Sequence, residues 1–206
     1  MVYMLTLTEI QNRAFMAIGP ARIAALSLLV LMNKEHSEKA QVARQLSIDR
    51  VTAAHDMLGT KLPEMLKASN HNLPAMLEQQ RQACFEALSP LIEVLKDPGK
   101  AQSPDFSDHC LYHLEPLVSS FLKEMTEHLM ESQKELEVER QADMLKAIAN
   151  AEVVGKNIQL IAFNASIEAA RIGDLGKGFT VIASEIRDLS GKTQKFLDNI
   201  SGLLRT

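Results

Sequence analysis

Two histidines have the spacing best suited to metal chemistry in this chain. His109 and His113 lie four residues apart, with Cys110 between them. On a helix this spacing places both imidazoles on one face, as zinc ligands require. No glutamate follows the first histidine, Cys110 falls on another side, and Glu115 would reach a shared ion only with distortion. We therefore expect solvated histidines near a helix start, and no metal site.

Three nearby glycines suggest a second kind of chemistry, the binding of phosphate. Gly173, Gly176 and Gly178 follow a helical pattern, whereas a phosphate-binding glycine loop follows a strand. The sequence also contains no G-x-S-x-G nucleophile motif and no P-loop. We predict that the protein is not an enzyme, has no catalytic residues and uses no cofactor.

An apolar stripe follows these glycines at helical spacing. Apolar or small residues alternate three and four positions apart, which is typical of a coiled-coil seam. The stripe consists of Phe179, Ile182, Ile186, Leu189, Thr193, Phe196, Ile200 and Leu203. The glycines then form the turn of an antiparallel helical hairpin, with its tip at residues 173–178.

The helix before the turn has two apolar faces. One is a seam of mostly small residues that lets backbones approach closely, namely Ala151, Gly155, Ile158, Ala162, Ala165, Ala169 and Ile172. The other consists of Leu160, Phe163 and Ile167. A helix in a lone hairpin needs only one apolar face, so the second indicates additional helical neighbours. We predict that a second copy supplies them in a homodimer.

Residues 162–171 and 176–187 carry a pattern that identifies a family. Their sequences are AFNASIEAAR and GKGFTVIASEIR. They resemble, without gaps, the cytoplasmic signalling tip of methyl-accepting chemotaxis receptors, A-L-N-A-A-I-E-A-A-R followed by G-R-G-F-A-V-V-A-x-E-V-R. The match includes the glycines of the turn and covers about a fifth of the chain.

This resemblance implies a fold, partners and contact residues. In that family the tip forms an antiparallel four-helix bundle in a homodimer, dimers group into trimers, and the tip binds the adaptor CheW and the histidine kinase CheA. Carried over by position, the contacts between dimers would be Phe163, Asn164, Ile167, Glu168 and Arg171. The adaptor face would include Asp174, Lys177, Val181 and Glu185. Glu168 and Arg171 lie three residues apart on the helix, so they can also pair with each other.

Three departures from the family pattern bear on function. Lys156 stands where many members carry a phenylalanine that packs between dimers, and a lysine there would weaken the trimer. Leu175 puts an apolar residue at the apex of the turn. Only 28 residues follow Gly178, so we expect no adaptation by methylation in this chain.

Composition narrows the classes of function. A 206-residue chain with 46% hydrophobic residues, 4% aromatics and no tryptophan indicates aliphatic helical packing. The net charge of −4, without a run of Lys or Arg, argues against nucleic-acid binding.

The longest apolar run is ten residues, at 23–32, whereas a membrane-spanning helix needs about 20. We expect a cytoplasmic protein without membrane insertion or a secretory signal, in which Cys84 and Cys110 are core thiols.

Start and stop signals divide the rest of the chain into helices. We predict a first helix near residues 6–34 that is interrupted or kinked at Gly19-Pro20, and a second that runs from the N-cap Ser37 toward Pro63. A third helix should begin at Pro74 and be kinked at Pro90. After a linker over 97–105, a long fourth helix should end near Ile172 and be perturbed by Pro116. The fold class is then all-α. A four-helix input bundle over residues 1–140 continues through the long helix into a coiled-coil signalling hairpin over 141–206.

The first helix carries a fainter likeness to another group. Residues 10–24 are similar to the first helix of nitrate-sensor and type IV pilus receptor input domains, mainly at Arg22, Ile23 and Ala24. The arginine that such domains use to bind nitrate falls on Phe15 here. The resemblance therefore implies no anion site and no ligand.

Two kinds of function remain open from the sequence. The protein is either a soluble chemoreceptor-like signalling protein, or an interaction module that joins or caps chemoreceptor arrays without controlling the kinase. A helical sensor of small ligands without kinase control is a further alternative. The stimulus is not predicted.

Overall fold

The computed structural model describes residues 5–32, 37–96 and 104–205. Within these ranges the chain is helical and contains no β-strand, which confirms the predicted all-α fold class. The chain divides into two compact units, Met1–Lys134 and Glu135–Thr206. The first unit is a helical bundle and the second is an antiparallel hairpin.

Four helical segments build the bundle. These are α1 (Leu7–Met32), α2 (Glu38–Asp56) with α3 (Leu62–Ala68), α4 (Ala75–Lys96), and α5 (Pro104–Asp108) with the first part of α6 (Glu115–Arg171). Their buried faces form one hydrophobic core, whose largest fully buried side chains are Ile10, Ile18, Val51, Leu58, Leu62, Leu88, Leu91, Leu114, Val118, Phe121, Met125 and Leu129. Aliphatic side chains dominate this list, as the composition indicates.

Local signals explain where the helices begin. The Ser37 hydroxyl accepts a hydrogen bond from the Ala40 N–H at 3.2 Å, so Ser37 is the N-cap of α2 as predicted. Helix α5 is described from Pro104 onward. Most of the predicted linker, residues 97–103, lies outside the described residues.

Two prolines produce π-helical turns. The turn Met57–Lys61 ends two residues before Pro63, and the turn His109–Leu114 ends two residues before Pro116. A proline has no N–H to donate to the carbonyl four residues earlier. In the turn before each of these prolines, the backbone hydrogen bonds therefore run to the carbonyl five residues back instead of four. The Leu62 N–H accordingly bonds the Met57 carbonyl, five residues back. An interruption of α1 at Gly19-Pro20 is wrong, because the helix continues through Pro20, whereas the kink there stays a prediction.

Helix α1 has a length and composition that would allow it to cross a membrane. The length of the longest uninterrupted apolar run does not reveal this property. In the bundle, Ile10 and Ile18 are fully buried while Met16 and Ile23 are exposed. A core helix of a soluble bundle meets the same criteria. A cytoplasmic chain without membrane insertion therefore stays a prediction.

The second unit contains the remainder of α6, a 3-10 turn at Gly173–Gly176, and α7 (Lys177–Leu204). The turn coincides with the glycines that the sequence assigns to the tip of the hairpin. The predicted contact residues therefore lie at the end of α6, in the turn and at the start of α7.

Candidate functional site

Small residues at every seventh position hold the two helices of the hairpin together. Of the described residues in this unit, the buried ones are Gly155, Ala162, Ala169, Gly176, Ala183 and Ser190. The same heptad position of each helix therefore faces the other helix. Side chains this small let the backbones approach closely.

The closest approach is at the turn. A Cβ atom on Gly176 would lie 1.9 Å from the Ala169 carbonyl oxygen, so only glycine fits there. Gly173 has φ of +72°, a left-handed conformation that favours glycine and ends α6. These two glycines explain how α6 reverses into α7 within a single 3-10 turn.

A hydrogen bond inside the hairpin fixes its register. The buried Ser190 hydroxyl donates to the Gly155 carbonyl at 2.8 Å. Nearer the open end, the Gln141 side-chain amide donates to the Leu204 carbonyl. A slip of the helices would break both bonds and bring larger side chains into the small-residue seam.

The predicted α7 stripe does not pack inside the hairpin. All eight of its residues are exposed, the seven apolar ones by 43–77%. The stripe residues from Phe179 to Phe196 lie three and six positions after the buried Gly176, Ala183 and Ser190, and Ile200 and Leu203 continue the same spacing. Ile158 and Ile161 on α6, and Ile172 directly after its end, occupy the same heptad positions and are exposed too. Equivalent heptad positions of an antiparallel pair lie on one side. We call this side, the α7 stripe with Ile158, Ile161 and Ile172, the apolar flank.

The opposite side of the hairpin is positively charged. An open cleft of about 740 Å³ there is lined by Lys156, Gln159, Leu160, Phe163, Arg187, Asp188, Gly191, Lys192 and Lys195. We call it the basic cleft, since four cations converge on it against one carboxylate. Of these four cations, the sequence singles out only Lys156. The other cations follow the small residues of α7 at positions opposite the stripe, a signal that helical projection could have found.

The structure places all nine predicted contact residues on the surface. Phe163, Asn164, Ile167, Glu168 and Arg171 lie on the last three turns of α6, Asp174 lies in the turn, and Lys177, Val181 and Glu185 lie on the first turns of α7. Each is exposed. Their roles in partner binding stay predictions.

Two ion pairs connect four of these residues. Arg171 lies 3.6 Å from Glu168, and Lys177 lies 2.7 Å from Asp174, measured between side-chain nitrogen and oxygen atoms. All four side chains are more than 60% exposed. Exposed pairs of this kind contribute about 0–1 kcal/mol, so a partner can separate them at little cost.

The histidine pair that suggested zinc has another structural role. His109 Nε2 lies 2.8 Å from the Ala87 carbonyl, with which the ring can hydrogen-bond, and its centroid is 5.6 Å from that of His113. Among the described residues, no group of three or more metal-ligating side chains converges.

Burial raises the pKa of the Cys84 thiol to about 12 and that of the Cys110 thiol to about 11, so both are protonated at neutral pH.

Comparison with known proteins identifies the C-terminal part of the chain. Residues 117–206 match the family profile of the methyl-accepting chemotaxis protein (MCP) signalling domain. Methyl-accepting chemotaxis protein PcaY of Pseudomonas putida is 29% identical over 158 residues, which are 72% of this chain and 29% of that protein.

Shorter matches give higher identity. Methyl-accepting chemotaxis protein TlpQ of Pseudomonas aeruginosa is 45% identical over 51 residues, which are 25% of this chain and 7% of that protein. Biofilm dispersion protein BdlA of the same species is 36% identical over 69 residues, which are 33% of this chain and 16% of that protein.

The chain thus spans less than a third of the length of each of these relatives. No solved structure matches it significantly. The family profile and the relatives agree with the residues of the tip. Residues 117–206 therefore resemble the methyl-accepting chemotaxis protein signalling domain in sequence.

Proposed function

We propose that this protein is a chemoreceptor-like signal transduction protein whose hairpin tip binds the adaptor CheW and the kinase CheA. In this proposal the bundle of residues 1–140 receives the input and the hairpin of residues 141–206 carries the output. The proposed location of the hairpin is the cytoplasm, where adaptor and kinase act.

One observation carries the proposal. Among its described residues the hairpin buries only small ones, so the family-type contact residues between Phe163 and Glu185 all remain exposed. A tip serving only to close the hairpin would need the glycines but not this set of exposed polar and apolar side chains. The exposed ion pairs at the tip support the proposal, because charged groups paired this weakly can exchange to a partner.

The apolar flank supports the proposed homodimer. Seven apolar α7 side chains exposed side by side form a larger patch than scattered surface residues do. A second hairpin contributing the same flank would bury both stripes in a four-helix bundle.

Reconstitution with CheW and CheA of Pseudomonas aeruginosa tests the proposal. The full chain should co-sediment with both proteins and change the rate of CheA autophosphorylation. Val181→Asp should weaken adaptor binding at least about tenfold, because it adds a charge to the proposed adaptor face. Val138→Asp is the matched control, since Val138 is also exposed but lies on α6 far from the tip.

A second candidate function is an interaction module that joins or caps receptor arrays. The basic cleft favours it, because Lys156 and three further cations repel the same face of another copy, as between dimers of a trimer. Adaptor binding without any change in autophosphorylation would select this function over kinase control. Equal binding by Val181→Asp and the unmodified chain would contradict the proposed adaptor face.

A further inference from the structure

Two histidines distant in sequence meet in the bundle. His71 lies in the loop between α3 and α4, and His128 lies on α6. Their Nε2 atoms are 3.2 Å apart, whereas the ring centroids are 5.3 Å apart. The Nε2 edges of the two rings therefore face each other. Both residues are half-buried.

A helix cap fixes the position of His71. Asn70 has a left-handed φ of 53°, its N–H bonds the Lys67 carbonyl at 3.1 Å, and the His71 N–H bonds the Leu66 carbonyl at 2.9 Å. These two bonds are the Schellman motif that closes a helix C-terminus, and asparagine is among the residues that tolerate its left-handed position. The backbone of His71 is thus set by the sequence that ends α3.

The core fixes the position of His128. Its neighbours on α6, Met125 and Leu129, are fully buried in the bundle. Glu124, one turn before His128, accepts hydrogen bonds from Gln80 and Ser120, both at 2.8 Å. The two imidazoles are therefore held by rigid elements, so a ligand that binds them need not order a mobile loop.

The separation of the two nitrogens suits one metal ion. Zinc–imidazole bonds are about 2.0–2.1 Å long, so two of them spanning 3.2 Å enclose an angle of about 100–106°, close to tetrahedral. We propose that His71 and His128 form a two-histidine site for a borderline divalent transition-metal ion such as Zn²⁺, with water at the remaining positions.

The protonation state is compatible with this site. Burial, and secondarily the neighbouring His128 ring, lower the pKa of His71 below its ordinary value of 6.5. His71 is therefore neutral at pH 7 and has a lone pair to offer. In the metal-free pair one Nε2 donates to the other, so that ring must move its hydrogen to Nδ1 when the ion binds.

The site would tie the end of α3 to α6. His128 falls within residues 117–206, the signalling domain, while His71 precedes it. A bound ion therefore connects the first half of the bundle to the helix on which that domain begins. Since no third protein ligand converges among the described residues, the expected affinity is that of a two-ligand, exchangeable site.

Zinc titration of the metal-free full chain at pH 7.5 tests the proposal. Zn²⁺ should raise the Tm by about 3 °C or more at saturation, whereas Mg²⁺, which prefers oxygen ligands, should not. Long-range ¹⁵N–¹H NMR of the unmodified protein should show zinc-dependent shifts of the Nε2 resonances of His71 and His128. His71→Gln and His128→Gln should each weaken zinc binding at least tenfold.

His113→Gln is the matched control, because His113 belongs to the other close histidine pair and is exposed. It should leave zinc binding unchanged. The proposal is overturned if zinc shifts neither Nε2 resonance, if it moves His109 and His113 instead, or if the rise in Tm survives His71→Gln. The zinc-dependent Nε2 shifts of the unmodified protein and the zinc affinity of His71→Gln test the proposal even if His128→Gln does not fold.

Discussion

Gly176 has a steric constraint that the other glycines of the turn do not share. Its backbone lies against the Ala169 carbonyl, whereas a Cβ on Gly178 would meet nothing within 4 Å. Gly176 permits the close contact of α6 and α7. Gly178 lies inside α7 and can carry a side chain without a clash.

We predict that Gly176→Ala opens the tip of the hairpin. The added methyl group cannot fit 1.9 Å from an oxygen atom, so the turn must move, at a cost of about 1–3 kcal/mol or more. Amide hydrogen exchange at the ends of α6 and α7 should accelerate accordingly. Gly178→Ala is the control, and it should slow exchange, since alanine stabilises a helix by about 1 kcal/mol relative to glycine. Similar exchange in both variants would contradict the close contact.

Among elements, the π-helical turn at Met57–Lys61 depends on a residue from another helix. The Leu58 carbonyl would ordinarily accept from the N–H of Leu62, but that N–H donates to the Met57 carbonyl. The next residue, Pro63, has no N–H, so the Leu58 carbonyl needs a donor from elsewhere. The Arg81 guanidinium of α4 donates to it, and it also pairs with Glu78 at 2.6 Å. Arg81 is only 7% exposed, so this contact is part of the bundle core.

Replacing Arg81 with methionine should destabilise the bundle. The variant keeps an apolar stem of similar length but leaves the Leu58 carbonyl without its side-chain donor, which costs about 1–3 kcal/mol. Gln82→Met, at the exposed neighbouring position, should change the stability by less than about 0.5 kcal/mol. Urea unfolding followed by circular dichroism measures both. Equal midpoints for the two variants would show that the π-helical turn does not need Arg81.

The sequence predicts elements wherever the signal is local. The Ser37 cap, the α6–α7 turn and the helical class all follow from residues within a few positions of each other. The prolines show the limit of such reasoning, because Pro63 and Pro116 yield π-helical turns while α1 continues through Pro20. Which outcome occurs depends on donors elsewhere in the fold, such as Arg81.

The predicted site shows the same division between local and distant signals. Family-type spacing identifies the exposed residues around the tip, but it does not say which heptad position faces the other helix. Its spacing predicts that the eight-residue α7 stripe is a coiled-coil seam, because large apolar side chains usually pack inward. Here small residues fill that seam, and the stripe is left on the surface. The basic cleft, too, requires cations from both helices to be projected together.

At the scale of the whole molecule, the two flanks of the hairpin differ in chemistry. The apolar flank can bury area against its own copy, whereas the basic cleft repels a like surface. A hairpin that dimerises through the first flank would keep the second free. Val181 lies five positions after Gly176, so it occupies neither heptad position of the stripe.

Dimerisation should therefore be separable from adaptor binding. Ile186→Asp places a charge in the middle of the apolar flank, and it should raise the dimer dissociation constant at least about tenfold, which is 1.4 kcal/mol. The monomer should stay helical, because Ile186 is 43% exposed and does not belong to the buried small-residue seam of the hairpin. Val181→Asp, equally charged and off the stripe, should leave the dissociation constant unchanged. Sedimentation equilibrium of the full chain measures both constants, and parallel weakening by the two variants would place the dimer contact outside the apolar flank.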